Sequence, residues 1–203
     1  MSGFRRTIFV MIAFFPALVL AEGEVVDYVE AMTAMNPAPS TPLKAFDRFE
    51  IAPIGIDSAN AKYDANLEAQ SHLQTNLDER ATPLLKEWNA VEAKHSPPRV
   101  LKIEPEIRAI KFIPGKARFW AGAFAGGSAI LIAVKMTDAQ SGELIAEPEF
   151  YQHANKMGAA WSFGATDRAM LVRETDLIAD YLKGNYSEAV GGPTGKPEKS
   201  AKK

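Results

Sequence analysis

Apolar and polar residues fall into blocks with distinct periods along this chain. From Phe46 to Pro53, Phe49 and Ile51 alternate with Arg48 and Glu50, the two-residue period of a half-buried strand. From Asp64 to Ala93, Leu67, Leu73, Leu77, Leu84 and Trp88 recur at helical steps among Glu68, Gln74, Asp78, Glu79, Lys86 and Glu87. Pro83, with Thr82 able to cap a new start, predicts a kink or break inside that helix. From Arg99 to Pro114, Leu101, Ile103 and Ile107 oppose Lys102, Glu104, Glu106 and Arg108. The apolar phase then slips to Ile110 and Phe112, which predicts a bulge near Arg108–Ala109. Pro105 suggests that this strand lies at an edge or a bulge.

The next block is apolar on both faces. Ile130, Ile132, Val134 and Met136 alternate with Ala129, Leu131, Ala133 and Lys135, as in a covered central strand. Residues 138–142 read as a hairpin loop with Gly142 at positive φ, and Glu143 to Tyr151 as the returning strand. A second helix follows from Thr166 to Lys183, with Met170, Leu171, Leu177, Ile178, Tyr181 and Leu182 inward, Thr166 as cap and Gly184 at its end. The order β-α-β-β-β-α predicts an α+β domain over residues 43–186: a mostly antiparallel sheet with two helices on one face. Residues 22–42 read as an extended approach segment, and 187–203, rich in Gly, Pro, Lys and Ser, as a disordered tail.

The N-terminus changes the setting. Arg5 and Arg6 precede an apolar run from Ile8 to Leu20, and Val19 and Ala21 are small residues at the −3 and −1 positions of a cleavage site. Residues 1–21 are therefore expected to be a signal peptide cut after Ala21, and the protein periplasmic. The run is short for the roughly 20 residues of a spanning helix, the requirement of an uncleaved anchor. Without this segment the 23 basic residues fall to 21 against 25 acidic ones, a net charge of −4. That disfavours nucleic-acid binding, which needs a concentrated basic surface. The chain has no cysteine, which excludes disulfides, thiolate metal sites, thiol nucleophiles and lipidation at a lipobox cysteine.

Residues 112–128, FIPGKARFWAGAFAGGS, lead into the apolar strand, and TDAQSGE at 137–143 follows. This pattern resembles the bacterial family called domain of unknown function 4410, over roughly residues 43–186. The resemblance implies a small envelope protein or lipoprotein with no established catalytic residues. Because this chain lacks an acylatable cysteine, a free periplasmic form is implied.

Candidate chemistry is sparse. His72, His95 and His153 show none of the spacings that place two metal ligands on one helix face, so no metal or other cofactor is expected. Glu104 with Glu106, and Glu147 with Glu149, have the two-residue spacing of one strand face, about 7 Å, which suits a calcium ion or a glycosidase pair. Lys102 and Arg108 on the first pair's face fit a solvated charged surface better. The G-x-S-x-G pattern fails at Ile130, and the phosphate-loop mimic at 191–197 fails at Val190 and Pro197.

The unusual segment is Phe119 to Val134, about 16 uncharged residues, too few to span a bilayer as a helix. Gly122 and Gly126 could admit a flat ligand or another backbone near Phe119, Trp120 and Phe124; a bend before a buried strand is the plainer reading. A pocket would add His153, Asn155, Trp161 and Phe163. The expectation is a non-catalytic envelope module that binds another protein. A small-ligand-binding module is the alternative, and a hydrolase using Glu147, Glu149 or His153 is the lesser one.

Overall fold

The computed structural model describes residues 29–112, 127–154 and 165–197. Its elements are β1 (Met35–Asn36), β2 (Arg48–Ile51), β3 (Gly55–Ile56), α1 (Asp64–Asn89), β4 (Val100–Lys111), β5 (Ala129–Asp138), β6 (Leu144–Ala146), β7 (Glu149–His153), α2 (Ala165–Ser187) and β8 (Gly192–Pro193). The α+β class holds. The long strands β4 and β5 pair antiparallel at the centre of a six-stranded sheet. β2 and β3 run parallel to β4 along its outer side, and β6 and β7 run antiparallel to β5 along the other.

Alternation sets the two faces. Leu101, Ile103, Ile107, Ile130, Ile132, Val134, Met136 and Phe150 enter one core with the inward stripes of α1 and α2. The bulge expected at Arg108–Ala109 is present: register shifts between Ile107 and Ala109, which returns Ile110 to the core. Gly142 has φ 74, and its amide donates to Asp138, closing the expected turn.

Several expectations are corrected. Pro105 lies in a central strand, where β2 has ended and β3 has not begun, so its missing N–H falls in a gap of the ladder. α1 runs unbroken through Pro83. The ring and Glu79, whose carbonyl loses its bond, are both solvent-exposed, so water can satisfy that carbonyl. The buried stripe of α1 is Asn66, Ala69, Leu73, Leu77, Ala81, Leu85 and Trp88; Leu67 is exposed. The strand expected over 143–151 divides at Pro148 into β6 and β7.

α2 continues past Gly184, and the residue that organises its end is Asn185. Its buried amide donates to the carbonyls of Tyr181 and Gly191, and its oxygen accepts from the amides of Val190 and Gly191. The left-handed turn falls on Gly191 (φ 80). Tyr186, beyond the expected helix end, stacks on Trp88 at 4.2 Å, and Trp88 packs on Phe49 at 5.0 Å.

Residues 187–197, the described part of the segment read as a disordered tail, are built into the fold. β8 pairs with β1, the Thr194 carbonyl accepts from Tyr151, and the Thr194 amide donates to Ala34. Thr194 also donates its hydroxyl to the Thr33 carbonyl, and Lys196 reaches the Ala31 carbonyl and Glu30. The C-terminal segment and the N-terminal strap thus form one clasp over β7. Local periodicity does not show it, because the bonds join residues about 160 positions apart.

Candidate functional site

Of the residues singled out for a ligand pocket, Trp120, Gly122, Phe124, Gly126, Asn155 and Trp161 lie outside the described residues. His153 is described. It is exposed at the end of β7, stacked on Tyr151 at a centroid distance of 5.8 Å.

Within the sheet, charged side chains gather on the face away from the helices. One half of that face is apolar and covered: Tyr151, Leu131, Ala109 and Ala129 pack under Val29 and Ala31 of the strap. The other half is open. Its groove, about 380 Å³, is walled by Pro53, Gly55 and Ile56 on one side and floored by Glu104, Glu106, Arg108, Ala133 and Lys135. Register sets Glu104 opposite Lys135 and Glu106 opposite Ala133. Arg108 spans the gap, meeting Glu106 at 2.8 Å and Glu147 at 2.9 Å. One guanidinium therefore joins a member of each carboxylate pair, Glu106 and Glu147. Among the described residues no group of three or more His, Asp or Glu could hold a metal ion.

The edges of the sheet are closed by side-chain amides that imitate backbone. Asn89 accepts from the Phe49 amide and donates to the Phe49 carbonyl along β2. Gln74 and Gln70 do the same for Ile54. On the opposite edge Asn36 accepts from the Glu149 amide and donates to its carbonyl. Strand addition by a partner is blocked at these positions, because their backbone groups are already paired. The sequence shows Gln74 only as polar helix surface and gives no sign of the backbone pairing made by any of the four. An amide at a polar helix position looks like surface until its backbone partner is known.

A second polar cluster holds the connection between α1 and β4. The Asp47 carboxylate accepts from the amides of Lys94 and Arg99 and from His95 Nδ1 at 2.7 Å. An ionised carboxylate only accepts, so Nδ1 carries the proton. Burial alone would raise the Asp47 carboxyl, but these donors outweigh it and hold it well below the usual carboxylate range. Arg99 also bonds Asp138 at 2.6 Å and lies over the Phe46 ring at 4.4 Å. That hydrogen bond, more than any other contact, lowers the Asp138 carboxyl. His95 thus serves as a pin of the loop.

The sign of the pH effect follows. A depressed carboxyl contributes stability above its unfolded value, about 3.9, and that contribution is lost as pH falls through the folded value. Asp47→Asn is expected to be less stable than the parent at pH 7, with the gap narrowing as pH drops below about 4. Urea unfolding midpoints measured from pH 7 to pH 3 check this; a gap that stays constant would refute it.

No family model matches the chain, and no curated protein matches it. Solved structures do match. A candidate lipoprotein from Caulobacter crescentus is 11% identical with a TM-score of 0.38, covering 71% of this chain and 96% of that one. A Xanthomonas campestris protein of domain-of-unknown-function family 330 is 11% identical with a TM-score of 0.38, covering 72% and 90%. The PelC dodecamer from Paraburkholderia phytofirmans is 10% identical with a TM-score of 0.35, covering 68% and 90%. Identities and scores this low carry over no residue role. Among the described residues no helix is long and apolar enough to cross a membrane.

Proposed function

We propose that this chain is an exported, non-catalytic protein-binding module of the bacterial envelope, without a lipid anchor, that engages its partner through the open half of the charged sheet face. The observation that carries the reading is the groove of Glu104, Glu106, Arg108 and Lys135 on a sheet whose neighbouring edges are sealed by Asn89, Gln70, Gln74 and Asn36. With strand addition blocked at Phe49, Ile54 and Glu149, the open face is the surface this reading assigns to recognition. Exposed charges of both signs suit a protein surface of complementary pattern, where they set orientation and encounter rate. Export rests on the N-terminal segment, and the free form on the absence of cysteine.

The test is cross-linking of the mature protein in its native envelope fraction, followed by mass spectrometry. One stoichiometric partner is expected, linked through Lys102 or Lys135. The paired reversal Glu104→Lys with Lys135→Glu should cut its recovery about tenfold while leaving the unfolding free energy within about 0.5 kcal/mol, since both side chains are exposed and opposite charges still face each other across the ladder. Recovery unchanged by the reversal would sink the face as the interface. Cross-links confined to other surfaces would do the same.

A further inference from the structure

The inward stripe of α2 contains a buried carboxylic acid whose polar neighbour is the backbone of Ile132 in β5. Glu174 is fully buried between Met170, Leu171 and Ile178, and neither side-chain oxygen has a hydrogen-bond partner. The backbone of Ile132 in β5 lies beside it and offsets little of the desolvation. Buried polar groups are nearly always paired, and a buried ion without a partner costs far more than a neutral group.

The charged groups on the surrounding elements are engaged elsewhere or face away. On α1, Arg80 pairs with Asp176. On α2, Arg173 bonds Gln152 and the His153 carbonyl, and the buried Asp167 lies two turns before Glu174 on the same helix. On β5, Lys135 is on the opposite face, and Asp138 is held by Arg99. On β7, the Glu149 carboxylate accepts from the Met32 amide at 3.4 Å, and His153 is exposed. Lys44, in the 3₁₀ turn before β2, is exposed, and Lys196 is tied to Glu30.

We propose that Glu174 is a proton-operated latch: as the neutral acid it lets α2 lie closed on the sheet, and as the carboxylate it drives that stretch of α2 off the sheet toward water. Burial pushes the Glu174 carboxyl well above its ordinary value. A group of this kind binds its proton more tightly in the closed state than in the open one. Closing is therefore favoured below the open-state value of about 4.3 and weakens as pH rises toward the closed-state value, above which it changes no further. Inside that window one proton is released per opening, so the open population grows about tenfold per pH unit. Opening would bare Met170, Leu171 and Ile178 together with Ile130 and Ile132 of the sheet.

Hydrogen exchange of the mature protein, read peptide by peptide and corrected for intrinsic rates, tests the latch between pH 5 and pH 9. Opening of the α2 peptides is expected to rise with pH in the parent and to stay flat in Glu174→Gln. Glu174→Leu, of similar size and without a polar group, is the comparison if the amide variant folds poorly. A carbon-13 titration of the Glu174 carboxyl gives a direct readout, expected well above 4.3. Parallel exchange profiles in parent and variants would overturn the proposal, as would a carboxyl that titrates like an exposed glutamate.

Discussion

Changing Gly195 to alanine is expected to destabilise the domain by about 3 kcal/mol and to free the N-terminal strap. Gly195 has φ 87, and an added Cβ would stand 2.2 Å from the Tyr151 carbonyl oxygen and 2.7 Å from Leu177 Cδ1. Backbone cannot retreat from such a contact without moving its neighbours. The bonds from Tyr151 to Thr194, from Thr194 to Ala34 and Thr33, and from Lys196 to Ala31 would all be disturbed. Gly142→Ala is the control. Its φ is nearly the same at 74, but nothing lies within 4 Å of the added Cβ. That variant carries only the left-handed strain, about 1 kcal/mol. Urea unfolding of both variants separates close approach from backbone strain. Proteolysis within residues 29–40 should accelerate for Gly195→Ala alone. Equal losses in the two variants would mean that the C-terminal segment is not clamped as described.

Phe150→Ala should cost about 3–5 kcal/mol, the range for removing a buried phenyl ring. Phe150 is fully buried, sits opposite Ile132 in the ladder and meets Tyr181 of α2 edge-on at 5.8 Å. It ties the short strand β7 to the helical layer. Tyr181 donates its hydroxyl to the Pro37 carbonyl, and burial raises that hydroxyl to about 12. The same cavity should therefore loosen the strap at second hand. The thermal midpoint is expected to fall by roughly 10 °C in a domain of this size. Tyr151→Ala, one residue on and facing the other side, should chiefly increase exchange at Val29 and Ala31, which it contacts. A loss below about 1 kcal/mol for Phe150→Ala would contradict the single core drawn around β5.

Local patterning made much of the fold legible. The slip from Ile107 to Ile110 located the bulge, because strand period leaves no other way to return the apolar side chains to one face. The apolar residues on both faces of β5 marked it as central, and the hairpin glycine was visible from its neighbours. Pro105 misled because a proline in a strand suggests an edge. Only the arrangement of β2 and β3 shows that a gap in the ladder accepts it. Gly184 misled in the same way, since Asn185 had already taken over the end of the helix.

The candidate site was half visible. Lys102, Glu104, Glu106 and Arg108 were readable as a solvated strand face, but the bridge from Arg108 to Glu147 was not. Asp47, Asn36, Asn89 and Asn185 escaped notice because their role depends on which backbone groups stand opposite them. Glu174 escaped for the same reason, at a position where helical spacing alone cannot tell a buried acid from a surface one.

By itself, the sequence determined the two helices and the long strands, most of the inward side chains of those strands, the bulge and the turn. These depend on side-chain period and backbone conformational preference, which act over a few residues. Tertiary structure decided the clasp of the two terminal segments, the sealing of the sheet edges and the isolation of Glu174. Each depends on whether a polar group meets a partner from a distant part of the chain, and unpaired burial is costly enough that those meetings shape the structure.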